Sequence, residues 1–302
     1  MDIIKWGIVA LFAGSAAYVH FRGRVRTSFW RQLINHSTLL APVNCLLYAF
    51  SRVPARPYLD HSAFPGLRLL DAHWETIRAE ALALAAAQRI RAAERNDDAG
   101  FNSFFKEGWT RFYLKWYEAH HPSAQALCPQ TVALLKRIPE VKAALFAVLP
   151  AGGKLNPHRD PYAGSIRYHL GLVTPNDDRC YIEVDGQRYS WRDGESVLFD
   201  ETFIHRVENT TAQGRIILFC DVERPMRYRW AGAFNRWFAR NVMTAASSPN
   251  EQSDQTGAIN RFFHVSWVMG QYRRRFKAWN PTVYRATKVL LVALVVALLV
   301  WA

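Results

Sequence analysis

Three side chains near the middle of this chain have the types and spacing to hold a metal ion. His158 and Asp160 stand two residues apart, and His205 follows 45 residues after Asp160. Two imidazoles and one carboxylate can cap one face of a ferrous ion and leave the opposite face open, the arrangement of non-haem Fe(II) oxygenases. On an extended strand, positions i and i+2 share a face, so both members of the HxD pair can reach one metal. The interval to His205 is long enough for several short strands to return to the same mouth. An HxD pair alone is weak evidence; its companions add the weight. Arg167 and His169 fall on one face of the next strand, and Arg215 stands ten residues beyond His205. An arginine fork matches a carboxylate. That is what a 2-oxoglutarate co-substrate needs when its keto-acid end chelates iron and its far carboxylate lies deep in the protein. The competing reading makes Arg167 or Arg215 an internal salt-bridge partner, because a buried charge requires a counter-ion.

These residues need a β scaffold, and the pattern supplies one between about 142 and 223. The runs RYHLGLVT (167–174) and GRIILFCDV (214–222) read as buried strands. Asp185-Gly186 favours a tight hairpin turn inside 180–191, and a second Asp-Gly at 193–194 precedes SVLFD (196–200). Short strands with sharp turns predict an all-β barrel or sandwich. Residues 71–95 are Ala-rich with helical apolar spacing and Asp71 as N-cap, which predicts a long amphipathic helix packed outside the sheet. The polar run TAASSPNEQSDQTG (244–257) reads as a linker. The flanking stretches within 226–285 mix Trp and Phe with Arg, as suits a headgroup surface.

Apolar segments lie toward both ends. Residues 3–21 carry one charge, Lys5, and are just long enough to span a bilayer; 286–302 are more apolar still. A cleaved signal peptide is the alternative for the first segment and a buried core helix for the second. The stretch LLAPVNCLLYAF (39–50) is short and contains Pro42, which predicts a re-entrant or interfacial piece. The formal net charge is +13. Arg22, Arg24, Arg26 and Arg31 follow the first segment, and Arg273, Arg274, Arg275, Lys277, Arg285 and Lys288 precede the last. Basic residues beside apolar spans mark cytoplasmic flanks, so the expected partner is a membrane rather than nucleic acid, with the catalytic domain facing the cytoplasm. Aromatics make up 14% of the chain, with 11 Trp, a share that suits contact with an interface. The four cysteines are scattered, with no CxxC spacing and no disulfide framework.

The motifs PHRDP, RYHLGLVTP, VLFDETFIHRVEN and GRIILFCDVERP, within 149–225, resemble the aspartyl/asparaginyl β-hydroxylase family, as does GWTRFYL at 108–114. HFRGRVR (20–26), HSTLLAPVN (36–44) and the terminal segments are similar to the lipid A 2-hydroxylase branch of that family. The resemblance implies a double-stranded β-helix of the jelly-roll or cupin kind. It implies iron on His158 and His205, and 2-oxoglutarate on Arg167, His169 and Arg215, with O2 as the other co-substrate. Animal members carry Gly where this chain has Asp160, so the carboxylate either completes a ligand triad or orients a metal-bound water. Ala147 stands where the family has a serine near the co-substrate. The expected organisation is a membrane anchor at 1–21, a juxtamembrane and helical scaffold at 22–100 and a dioxygenase core at 101–225. Membrane-facing helices at 226–285, with the linker 244–257, and a membrane segment at 286–302 complete it. The expected activity is hydroxylation of C2 of a lipid A acyl chain at the bacterial inner membrane. Alternatives are another bacterial lipid such as ornithine lipid, a protein Asp/Asn residue, or a metal-free lipid-sensing module.

Overall fold

The computed structural model describes residues 2–28, 30, 32, 36–93 and 96–287. Among these described residues, ten strands form two antiparallel sheets. The larger contains β1 (Tyr58–Leu59), β8 (Ser196–Phe199), β5 (Ser165–Val173), β10 (Arg215–Glu223), β3 (Val141–Leu149) and β2 (Thr110–Trp116), in that spatial order. The smaller is ordered β4 (Lys154–His158), β9 (His205–Asn209), β6 (Cys180–Val184) and β7 (Gln187–Ser190). From β3 to β10 the chain passes repeatedly from one sheet to the other, leaving the smaller sheet only after β4, after the β6–β7 hairpin and after β9. That winding is a double-stranded β-helix, as the family resemblance implies; the strand pattern by itself predicts only a barrel or sandwich.

Side-chain parity explains how the barrel closes. On β10, Ile217 and Phe219 join a cluster with Leu155, Ile182 and Val207 of the smaller sheet, so one face of β10 looks into the barrel. The alternate residues Ile216, Leu218, Cys220 and Val222 join a second cluster with helix residues Ile77, Ala81 and Leu135. The larger sheet is thus buried on both faces, which is why 167–174 and 214–222 read as nearly continuous apolar runs. The polar exceptions on the inward face, Arg167, His169, Arg215 and Asp221, are all buried.

The turns follow their residue chemistry. Asp185 and Gly186 have φ of 50° and 82° and join β6 to β7 with Val184 opposite Gln187, a two-residue hairpin that needs positive φ at both central positions. Gly171 has a different reason. A Cβ there would fall 2.1 Å from the Arg192 carbonyl oxygen, and the Gly171 N–H and carbonyl both bond to the 192–195 turn. Gly171→Ala is expected to lower stability by ~1–3 kcal/mol, the usual penalty of overpacking, read as a lower denaturant midpoint.

The helices depart from expectation in instructive ways. Helix α1 (Asp2–Phe21) contains the apolar stretch Ile3–Phe21, 19 residues at mean hydropathy 1.4, long and apolar enough to cross a membrane. Helix α2 (Ala41–Ala49) is no re-entrant piece. Asn44 donates to the Pro161 carbonyl and accepts from the Ala163 N–H, and Leu47 packs with Tyr162 and Phe238. The long helix expected over 71–95 is shorter: α3 spans Trp74–Ala86 and ends where Gln88 turns left-handed at φ 53°. Asp71 belongs to the short helix Arg68–Ala72 that precedes it, where it accepts the Tyr168 hydroxyl at 2.6 Å. Glu80 on α3 accepts the Gln130 and Thr131 N–H groups at the start of α4 (Pro129–Lys136), supplying the negative charge a helix N-terminus favours.

The expected linker 244–257 is packed rather than free. Asn250 bonds both the N–H and the carbonyl of Tyr113 on β2, and Asp254 accepts from Ser123. Its polar side chains satisfy backbone groups of the barrel edge, which composition cannot distinguish from a solvated linker. On either side lie α5 (Arg229–Phe238), with Trp230 and Trp237 exposed, and α6 (Ala258–Trp279). Asn260 ties the first turn of α6 to the Ala246 and Ser247 carbonyls, while Phe262, Val265, Met269 and Tyr272 are exposed. The expected membrane segment 286–302 lies outside the described residues apart from Ala286 and Thr287.

Candidate metal centre

His158 ends β4 and His205 opens β9, and the two pair directly across that ladder. Antiparallel register therefore places one imidazole against the other, with ring centroids 4.2 Å apart. Each ring is oriented in the same way. Nδ1 lies 2.9 Å from the Asn156 carbonyl in His158, and 3.0 Å from the Phe203 carbonyl in His205. A proton donated there leaves both Nε2 lone pairs for a metal. Phe104 and Phe199 stand edge-on to His158 and His205 respectively.

Asp160 is not on the strand. It lies in the loop after β4, held by its N–H to the Glu201 carbonyl at 3.0 Å. Its Oδ1 sits 3.5 Å from His158 Nε2. The potential ligand atoms of His158, Asp160 and His205 all lie within 4.8 Å of one another, close to the span of two bonds of ~2 Å to a shared ion. Electrostatics suit that use. Burial and then His158 push His205 down to about 3, so the ring is neutral at physiological pH. Burial opposes ionisation of Asp160, but Arg167, His205 and His158 outweigh it and hold the carboxyl below its usual range.

The structure separates the two arginines. Arg167 is surrounded by protein carboxylates. Nη2 donates to Asp160 Oδ2 at 2.8 Å and also pairs with Glu201, and Nε donates to Asp221 Oδ1 at 2.9 Å. Burial raises the Glu201 and Asp221 carboxyls even beside this arginine, whereas the Asp160 carboxyl is lowered. Arg215 is wholly buried, and none of its three guanidinium nitrogens has a hydrogen-bond partner among the described residues. Its guanidinium carbon lies 3.7 Å from the Trp191 ring centroid and 5.2 Å from that of Trp109. These contacts partly offset the desolvation that pulls Arg215 down to about 10. Both ring nitrogens of His169 and the Trp191 indole N–H also lack partners. His169 is driven well below the ordinary histidine value by burial and then by Arg215, Arg167 and His205. A buried, unpaired guanidinium beside an unpaired imidazole and indole N–H is costly in an isolated protein. The donor set matches a carboxylate ligand.

Residues 71–225 match the model of the family described as Aspartyl/Asparaginyl beta-hydroxylase. The chain belongs to that family. Its similarity to the ornithine lipid ester-linked acyl 2-hydroxylase of Rhizobium tropici is 27% identity over 207 residues, covering 68% of this chain and 73% of that protein. It is also 27% identical to the human aspartyl/asparaginyl beta-hydroxylase over 164 residues, 53% of this chain but only 21% of the human protein. Among solved structures, a Pseudomonas putida prolyl-4-hydroxylase is similar at a TM-score of 0.34 and 18% identity, over 51% of this chain and 88% of that one. His158 and His205 lie on the neighbouring strands β4 and β9, whereas Asp160, expected to share a strand face with His158, lies in the loop after β4. Sequence reasoning did not identify Glu201 and Asp221, which share Arg167 with Asp160, or Trp191 and Trp109, which flank Arg215. The only signal for Glu201 and Asp221 was an acidic residue on an otherwise apolar strand or beside it, as in VLFDE and LFCDV.

Proposed function

We propose that this protein is an Fe(II)- and 2-oxoglutarate-dependent hydroxylase acting on C2 of an acyl chain of a membrane lipid. The observation that carries the reading is the pairing of three metal-suited side chains with a buried arginine, Arg215, whose guanidinium finds no hydrogen-bond partner among the described residues. His158, His205 and Asp160 would hold the iron, while Arg167 holds Asp160 Oδ2. Arg215 takes the far carboxylate of 2-oxoglutarate, with His169 and the Trp191 N–H completing the donor set. Trp191 and Trp109 keep water from that charge pair. An iron held there would supply the oxidising power for a reaction in which 2-oxoglutarate and O2 give succinate and CO2 while one lipid C–H becomes C–OH.

A lipid substrate is supported by α1, which would tether the protein at the bilayer and raise the effective concentration of substrate. The exposed Arg24, Arg26, Arg273, Arg274, Arg275 and Lys277 favour a cytoplasmic face of the inner membrane. The Rhizobium tropici relative supports ornithine lipid over the lipid A expected from the terminal motifs, and ornithine lipid is the substrate proposed. Lipid A remains the second reading because of HFRGRVR and the +13 charge. Mass spectrometry of total lipids and lipid A from cells making both lipids would test the choice. The expected result is one added oxygen at C2 of an ornithine lipid acyl chain, absent with His205→Ala. Oxygen added only to lipid A would select the second reading, and oxygen added to neither would remove lipid hydroxylation.

A further inference from the structure

The residues that follow α1 read as a basic flank of a membrane span, yet their contacts run inward. Arg22 is buried. Its Nη2 donates to Asp200 Oδ2 and its Nη1 to Thr202 Oγ1, each at 2.7 Å. The guanidinium carbon lies 3.8 Å from the Phe203 ring centroid and 4.2 Å from that of Tyr48. Gly23 has φ +89°, and a Cβ there would fall 2.7 Å from Asp185 Oδ1 and 2.9 Å from the Phe203 ring. The Arg24 and Val25 N–H groups donate to that same Asp185 oxygen at 2.6 and 2.8 Å. Asp185 in turn donates its N–H to the Ile204 carbonyl at 2.8 Å. Arg22 thus directly contacts the 200–204 turn that delivers His205, and Arg24 and Val25 reach it through Asp185. Phe203, beneath Arg22, contributes the carbonyl that orients the His205 ring.

The other ligand loop is tied to the same place. Arg159 lies between His158 and Asp160, is buried, and donates through Nη1 to the Val19 carbonyl in the last turn of α1. Carbonyls at a helix C-terminus lack partners within the helix and carry partial negative charge, so a guanidinium caps them well. Residues 19–25 therefore touch both segments that carry the metal ligands.

We propose that residues 19–25 brace the metal centre, with Arg22 and Arg159 as positioning residues that hold the His205 turn and the His158–Asp160 loop against the end of α1. The anchor helix and the metal site then move as one body. The inference rests on the metal reading of His158, Asp160 and His205, and it does not depend on which substrate is hydroxylated.

The test uses full-length protein in detergent and Co(II), whose visible absorption reports ligand geometry. Arg159→Leu and Gly23→Val are expected to weaken Co(II) binding by ~10-fold or more, the usual effect of losing outer-shell support, and to change the absorption spectrum. Arg159→Lys should recover part of the loss. Arg111→Leu breaks the buried Arg111–Asp98 pair away from these loops and should lower the melting temperature without changing Co(II) affinity. The unaltered protein gives an independent readout. By reciprocity of coupled equilibria, Co(II) should slow hydrogen exchange at the Arg24 and Val25 amides. Unchanged exchange there, or brace variants that bind Co(II) like the unaltered protein, would overturn the brace. Absence of Co(II) binding by the unaltered protein would instead overturn the metal reading.

Discussion

His205→Ala is expected to abolish conversion of 2-oxoglutarate to succinate and to leave the protein folded. The ring supplies one of two nitrogen donors from a fixed strand register, opposite His158, and alanine leaves a metal with one imidazole and one carboxylate. Loss of a ligand should exceed the ~10–100-fold effect of losing an outer-shell partner, so bound iron should fall below detection at micromolar metal. The fold is expected to survive because the ring makes one hydrogen bond, to the Phe203 carbonyl, and because burial leaves it uncharged. Succinate formation at the unaltered rate by His205→Ala would remove the iron assignment. A variant that neither binds iron nor melts cooperatively would show a folding role instead.

Arg215→Met is expected to have two effects of opposite sign. It should weaken 2-oxoglutarate binding severely, since removing one member of a buried, hydrogen-bonded charge pair costs ~2–5 kcal/mol, roughly 30-fold or more in affinity. It should also stabilise the protein without co-substrate. The guanidinium has no hydrogen-bond partner among the described residues, and methionine fills similar volume without an unpaired charge; relief of ~1–3 kcal/mol is the scale for one unsatisfied buried group. Titration calorimetry and thermal melting measure the two effects separately. Co(II) affinity should be unchanged. A lower melting temperature together with lost metal binding would assign Arg215 to the architecture of the barrel rather than to co-substrate recognition.

Much of the barrel was legible because its strands obey simple rules. Asp185-Gly186 specifies its turn through the backbone angles it permits, and β5 and β10 are apolar on both faces because both faces are covered. The ligands were legible because few residue types can hold iron, and these recur at spacings a short strand can use. What escaped the sequence depends on which partner a polar residue finds. Arg167 and Arg215 look alike in the chain. One meets three carboxylates and the other meets two indoles, and only the packing of β5, β10 and the 191 turn decides which. Asp160 was expected on a strand face, but β4 stops at His158 and the loop brings Asp160 in through the Glu201 carbonyl. Residues 244–257 are polar because they satisfy the edge of β2, a role composition cannot separate from solvation. Arg22 was expected to meet lipid headgroups and instead meets Asp200, because Gly23 turns the chain back toward the barrel.

That turn has a practical consequence for anyone seeking a detergent-free enzyme. Cutting the polypeptide just beyond position 25 would strip a counter-charge from Asp200, leaving Arg224 as its remaining cation. It would also take away the carbonyl against which Arg159 rests. Solubility is better sought by exchanging the outward apolar side chains of the leading helix for polar ones, with its final turn and the glycine after it left intact.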